Sequence, residues 1–141
     1  MTDVHHQRRQ TRRIALQALC QADVQGDEFM TDLVERFLAQ ADEEPAVRRD
    51  AEIITRSAWD YHVQADQWIE RLVSQWSIAR LAVVDRNVLR LALWELTHRT
   101  NVPPKVVLDE AINMAREFST EESAGFVNGV LDAALKEHLS L

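Results

Sequence analysis

The feature that most constrains this chain is its shortage of chain-reversing residues: three glycines and three prolines in 141 residues. A β-rich fold turns every few residues and needs those residue types throughout, whereas long helices do not. Apolar residues recur at the matching three- and four-residue spacing, so the expected fold class is all-α. From about Thr11 to Val24, the residues Ile14, Ala15, Ala18, Leu19 and Ala22 form one stripe, closed by Gly26 and Asp27. A second stripe (Phe29, Leu33, Val34, Phe37, Leu38, Ala41) stops at Asp42-Glu43-Glu44, and Pro45 suits the first turn of a third helix. That third pattern runs from Val47 to Trp76 without Gly or Pro and predicts one long helix, ended by a linker at Ser77.

The second half opens with Leu81, Val84, Val88, Leu91, Leu93 and Trp94, apolar on several sides and therefore deeply buried. Asn101–Pro104 is a break. Val107, Ala111, Met114, Ala115 and Phe118 then mark an amphipathic helix, and a last one is expected from about Glu121 to Leu139. The reading is six or seven helices as two three-helix bundles, residues 1–77 and 78–141 of a single domain.

One local signal conflicts with it. Val127-Asn128-Gly129-Val130 carries Asn-Gly between apolar residues, a strong hairpin cue. Against it, Ser119-Thr120-Glu121-Glu122 has capping-box form, with Glu122 placed to reach back to Ser119, and Phe126, Val130 and Ala134 continue at helical spacing. Helix is the favoured reading. Gly125 and Gly129, four apart, would let a ligand or another backbone come close.

At 46% hydrophobic and 28% charged residues, the composition is that of a globular domain rather than a disordered segment. A chain of this length buries roughly 70% of its unfolded surface and needs no metal or disulfide staple. No apolar run approaches a membrane span, and the arginine-rich start lacks the apolar core of a signal peptide. A single cysteine fits a reducing cytoplasm.

Net charge is −7, which alone argues against nucleic acid, but the distribution is lopsided. Residues 1–22 hold Arg8, Arg9, Arg12 and Arg13 against Asp3 alone, a net of +3, leaving −10 on the remainder. Cations at a helix start oppose the helix dipole, and Arg8/Arg12 and Arg9/Arg13 repel at i,i+4 spacing, so local stability does not ask for them. A phosphate backbone reverses that penalty. Gln10 and Gln17 add neutral hydrogen-bonding groups nearby, and the acidic remainder suits basic protein partners.

No catalytic constellation stands out. The five histidines are scattered, none pairs with Cys20 at a metal-ligand spacing, and there is no phosphate-binding glycine loop or nucleophile elbow. Asp109-Glu110 and Glu121-Glu122 are explained by helix-start charge. The expectation is a non-enzyme with no cofactor or metal.

Several segments together resemble the NusB transcription antitermination family. They are Val84-Asp85-Arg86-Asn87-Val88-Leu89-Arg90-Leu91-Ala92-Leu93-Trp94-Glu95-Leu96, Pro104-Lys105-Val106-Val107 with Glu110-Ala111, and Ser123-Ala124-Gly125-Phe126-Val127-Asn128-Gly129-Val130-Leu131-Asp132. Trp76-Ser77 with Arg80-Leu81, and Ala15-Leu16-Gln17-Ala18-Leu19 behind the arginines, fit the same family in the same order. The resemblance implies two three-helix halves and binding of boxA, a short single-stranded RNA element of ribosomal RNA operons. It implies NusE, a small-subunit ribosomal protein, as partner, and work within an RNA polymerase antitermination complex. By position it places RNA contacts on Arg8, Arg9 and Arg12, with Arg13 an additional cation and Gln17 beside them, and on Glu122, Phe126 and Asn128. Cys20 stands where an aromatic residue is usual. Two functions of different class are open at this point: an RNA-binding antitermination factor, or a protein-only module such as a homodimer or accessory domain.

Overall fold

The apolar stripe behind the arginines winds into α1 (Val4–Gln25), the first helix of a computed structural model that describes residues 4–41, 44–73, 75 and 77–139. Asp42, Glu43 and Trp76, singled out in the sequence, lie outside the described residues. Among the described residues there are seven α-helices and no strand. The chain divides into two compact units, 1–60 and 61–141.

In the first unit, α1 ends where its periodicity ends. Gly26 adopts φ +83°, the left-handed conformation that only glycine reaches cheaply, and its N–H donates to the Ala22 carbonyl. A π-helical turn (Phe29–Leu33) leads into α2 (Val34–Ala41), and Pro45 opens α3 (Pro45–Asp60). Ile14, Ala18, Ala22, Phe29, Met30, Val34, Leu38, Val47 and Ala51 make its core. Phe29 meets Phe37 edge-to-face at 5.9 Å. The π-turn spoils the regular carbonyl ladder, and α3 repairs it: Arg56 Nη1 donates to the Met30 carbonyl at 3.2 Å. The Trp59 indole donates to Asp27 at 2.9 Å, so this tryptophan is a half-buried packing residue with its polar edge satisfied.

The expected long third helix is in fact two. It breaks at Tyr61, and α4 (His62–Leu72) belongs to the second unit. The apolar repeat runs through the break because one turn residue shifts the register too little to interrupt the stripe. The division between compact units therefore falls at Asp60/Tyr61 rather than at the expected linker beginning at Ser77.

In the second unit a 3-10 turn (Ile78–Arg80) precedes α5 (Val83–His98), followed by α6 (Pro104–Phe118) and α7 (Glu121–Ala134), which runs on into a π-helical turn (Leu135–Leu139). Every residue of α5 from Asn87 to Leu96 is buried, as its all-round apolarity predicts. Burying Arg90 in that helix demands a partner. Its guanidinium grips Asp66 of α4 in a bidentate pair at 2.7 and 2.8 Å and donates to Asn87 Oδ1 at 3.0 Å. Trp94, 4% exposed, stacks on His98 and carries the Arg99 guanidinium 5.3 Å from its ring centre. The Asn-Gly cue loses to the helix: residues 127–130 lie inside α7, because no partner strand exists for a hairpin among the described residues.

Candidate nucleic-acid site

The start of α7 sets the geometry. Thr120, not Ser119, is the N-cap: its Oγ1 accepts from the Ser123 N–H at 3.0 Å. The cap therefore sits one residue later than the capping-box pattern predicts. Ser123 occupies the position expected of Glu122, which is left exposed and free of any capping role. The Thr120 hydroxyl donates to Ser123 Oγ at 3.1 Å, and Ser123 Oγ donates to Asp85 Oδ2 on α5 at 3.0 Å. This short relay ties α7 to the first turn of α5.

Beside the relay lies a cavity of about 280 Å³, near the low end of ligand pockets. One wall is the linker Arg80–Ala82 with Asp85, and the other is α7 with Thr120, Glu122, Ser123 and Phe126. The linker wall is held by Arg86, whose Nη1 donates to the Leu81 carbonyl at 3.1 Å and lies 3.5 Å from those of Ile78 and Ala79. Glu122 and Phe126, four apart on α7, share the cavity, and Phe126 is half-buried with part of its ring surface available. Asn128 is exposed but lies outside the lining, two residues and therefore more than half a turn away from Phe126.

Asp85 is the residue whose role the sequence reading missed. Its Oδ1 is shut off from solvent and has no hydrogen-bond partner among the described residues. An unsatisfied buried acceptor costs roughly 1–3 kcal/mol, more when charged. The helix-start position that stabilises an acid also hides it in the sequence, since any first-turn aspartate looks like dipole compensation.

The cations lie in the first unit, on α1. Arg8 and Arg9 are exposed, Arg13 is half-buried and Gln17 is exposed, with Arg9, Arg13 and Gln17 four apart along one face. Arg12 is different: it is 7% exposed and lies on the buried stripe that Leu16 and Leu19 continue. Its spacing from Leu16 and Leu19 was the available signal. Cys20 is half-buried. Among the described residues no group of three His, Cys, Asp or Glu side chains is arranged to hold a metal, and no helix is long and apolar enough to cross a membrane.

The chain matches the model of the NusB family over residues 9–136. A transcription antitermination protein NusB of an Anaeromyxobacter strain is 44% identical over 126 residues, covering 89% of this chain and 87% of the relative. This chain belongs to the NusB family. A second NusB, from Symbiobacterium thermophilum, is 35% identical over 136 residues, covering 92% of this chain and 89% of its own length. Among solved structures, NusB of T. maritima superposes with a TM-score of 0.81 at 37% identity, over 93% of this chain and 92% of that one. A chain from the crystal structure of antitermination factors NusB and NusE in complex with dsRNA gives 0.79 at 27% identity, over 94% and 98%. The all-α fold is thus the NusB fold, and Glu122 and Phe126 both line its α5–α7 cavity.

Proposed function

We propose that this NusB-family antitermination factor holds boxA-type RNA through Phe126 and Glu122 on α7 and through exposed α1 cations, with a NusE-type protein as partner. The observation that carries the reading is the half-buried Phe126 ring at the α5–α7 cavity, in a chain whose first 22 residues carry a net +3 against −10 on the rest. A single-stranded base can stack on an aromatic face for about 1–3 kcal/mol, whereas a paired base cannot leave its helix so cheaply. Unpaired RNA is therefore the ligand this cavity suits. On α1, Arg8, Arg9 and Arg13 are assigned to phosphate with Gln17 alongside, and Arg12 to the protein interior. Asn128, off the cavity, serves a neighbouring stretch of RNA or the partner. The factor works in the cytoplasm within an RNA polymerase antitermination complex, with no chemical step of its own.

The relative solved with NusE and dsRNA supports a joint protein–RNA assembly over a protein-only module. The net charge of −7 repels RNA at long range, so the chain alone binds weakly and a cationic partner strengthens it. The test is a fluorescence titration with a boxA-type oligonucleotide, with and without NusE. Tighter binding with NusE is expected. Equal affinity refutes the cooperative reading, and no binding in either case hands the function to the protein-only module or homodimer.

A further inference from the structure

We infer that the C-terminal end of α5 carries a second RNA contact, a platform on which His98 stacks an unpaired base from the strand flanking boxA. The inference rests on the RNA reading above and concerns a surface remote from the α5–α7 cavity. At about 1.5 Å per residue, α5 puts His98 about 20 Å from Asp85 near its other end. Three rings meet there. His98 stacks on Trp94 at 15° with centroids 5.9 Å apart, and it meets Tyr61 edge-to-face at 4.8 Å. Trp94 is buried, whereas His98 is exposed and Tyr61 half-buried, so the cluster offers aromatic surface to solvent.

The His98 ring is also held in place. Its Nδ1 lies 3.1 Å from the Trp94 carbonyl and 2.7 Å from Thr97 Oγ1. A carbonyl only accepts, so the contact with Trp94 requires the proton on Nδ1. The Thr97 hydroxyl spends its own proton on the Leu93 carbonyl at 2.8 Å and accepts from the ring. A side chain fixed in this way loses little freedom when a base settles on it. The local charge suits an anionic strand. Between Glu95 and Asp109 the chain has no acid and carries Arg99 and Lys105, in a protein with 23 acidic residues. Arg99 holds its guanidinium 5.3 Å from the centre of the Trp94 ring, and Lys105 is exposed. Aromatic faces beside cations hold single strands with little regard to sequence. An acidic peptide answers the cations alone, whereas a nucleotide answers cations and ring faces together. A strand leaving the cavity covers the 20 Å with about six stacked nucleotides, at about 3.4 Å each.

The experiment uses the full chain with NusE and a labelled boxA-type oligonucleotide, bare or extended by about eight uridines at its 5′ or 3′ end. Extension at one end tightens binding about 10-fold, at the level of one stacked base. His98→Ala removes that gain and leaves the bare oligonucleotide bound within about 2-fold. His98→Phe gives up the Nδ1 bond but keeps a stacking face, and it keeps most of the gain, which separates stacking from charge and from any loss of folding in the alanine variant. Arg99→Gln leaves the His98 and Tyr61 rings in place and makes the salt slope of the extended oligonucleotide shallower by about 0.7. A gain that persists in full in His98→Ala overturns the inference, and so does loss of the gain in a folded His98→Phe protein. Equal binding of bare and extended oligonucleotides by the unaltered protein overturns it too and leaves the patch to a protein partner, while the RNA reading stands. Failure of every oligonucleotide to bind overturns both.

Discussion

Replacing the α1 arginines one at a time separates contact with RNA from support of the fold, because burial divides them. Arg8 and Arg9 are exposed and Arg13 is half-buried, whereas Arg12 is 7% exposed. Single-stranded binding loses affinity with a log–log salt slope of about −0.7 per phosphate neutralised, so three cations give about −2. Between about 50 and 200 mM salt the complex then weakens roughly 20-fold. Arg8→Ala, Arg9→Ala and Arg13→Ala each bring the slope near −1.4 and the weakening near 7-fold, on the order of one lost contact. None of the three lowers the melting temperature much, since Arg8 and Arg9 are exposed and Arg13 is only half-buried. Arg12→Ala behaves in the opposite way. Its slope stays near −2, while loss of a buried stem and its polar contacts destabilises the fold by about 1–3 kcal/mol. For a domain of this size that lowers melting by roughly 3–10 °C. The assays are anisotropy titrations across a salt series and thermal unfolding by circular dichroism. An Arg12→Ala protein with unchanged melting and a slope shallower by about 0.7 refutes the division and returns Arg12 to the RNA face.

Phe126→Ala should lower RNA affinity by about 1–3 kcal/mol and cost clearly less than the roughly 3–5 kcal/mol of a fully buried Phe, as titration and denaturation will read. A large stability loss with intact binding makes Phe126 a packing residue. Asp66→Ala strands the buried Arg90 charge and should destabilise by about 3–5 kcal/mol in urea denaturation without changing the salt slope; a loss under about 1 kcal/mol shows that water reaches the pair. Gly125→Ala and Gly129→Ala should each stabilise the free protein by about 0.5–1 kcal/mol, because both lie inside α7 with nothing within 4 Å of an added Cβ. Gly26→Ala should destabilise, since φ +83° strains any residue with a Cβ. The same unfolding assay checks all three glycine variants, and a stabilised Gly26→Ala contradicts the cap.

What the sequence determined by itself is what local periodicity encodes. The near absence of Gly and Pro, with apolar residues three and four apart, settled the helical class. The stop at Gly26, the start at Pro45 and the enclosed α5 were legible for the same reason, since each depends on residues within one or two turns. Glu122 and Phe126 were named through the family resemblance, and their i,i+4 spacing on α7 brings both to the cavity. Tertiary structure decided what periodicity leaves open. The break at Tyr61 was invisible because the stripe continues across it. The N-cap fell on Thr120 rather than Ser119, and Ser123, whose N–H it caps, also bonds Asp85 of α5. Four arginines in six residues are chemically alike; the spacing of Arg12 from Leu16 and Leu19 pointed to the inner face, and packing showed that it turns inward. The cavity joins residues far apart in the chain, Asp85 and Ser123 being separated by 38 positions. Contacts of that range are set by which helix faces meet, and no spacing within a single helix carries that information.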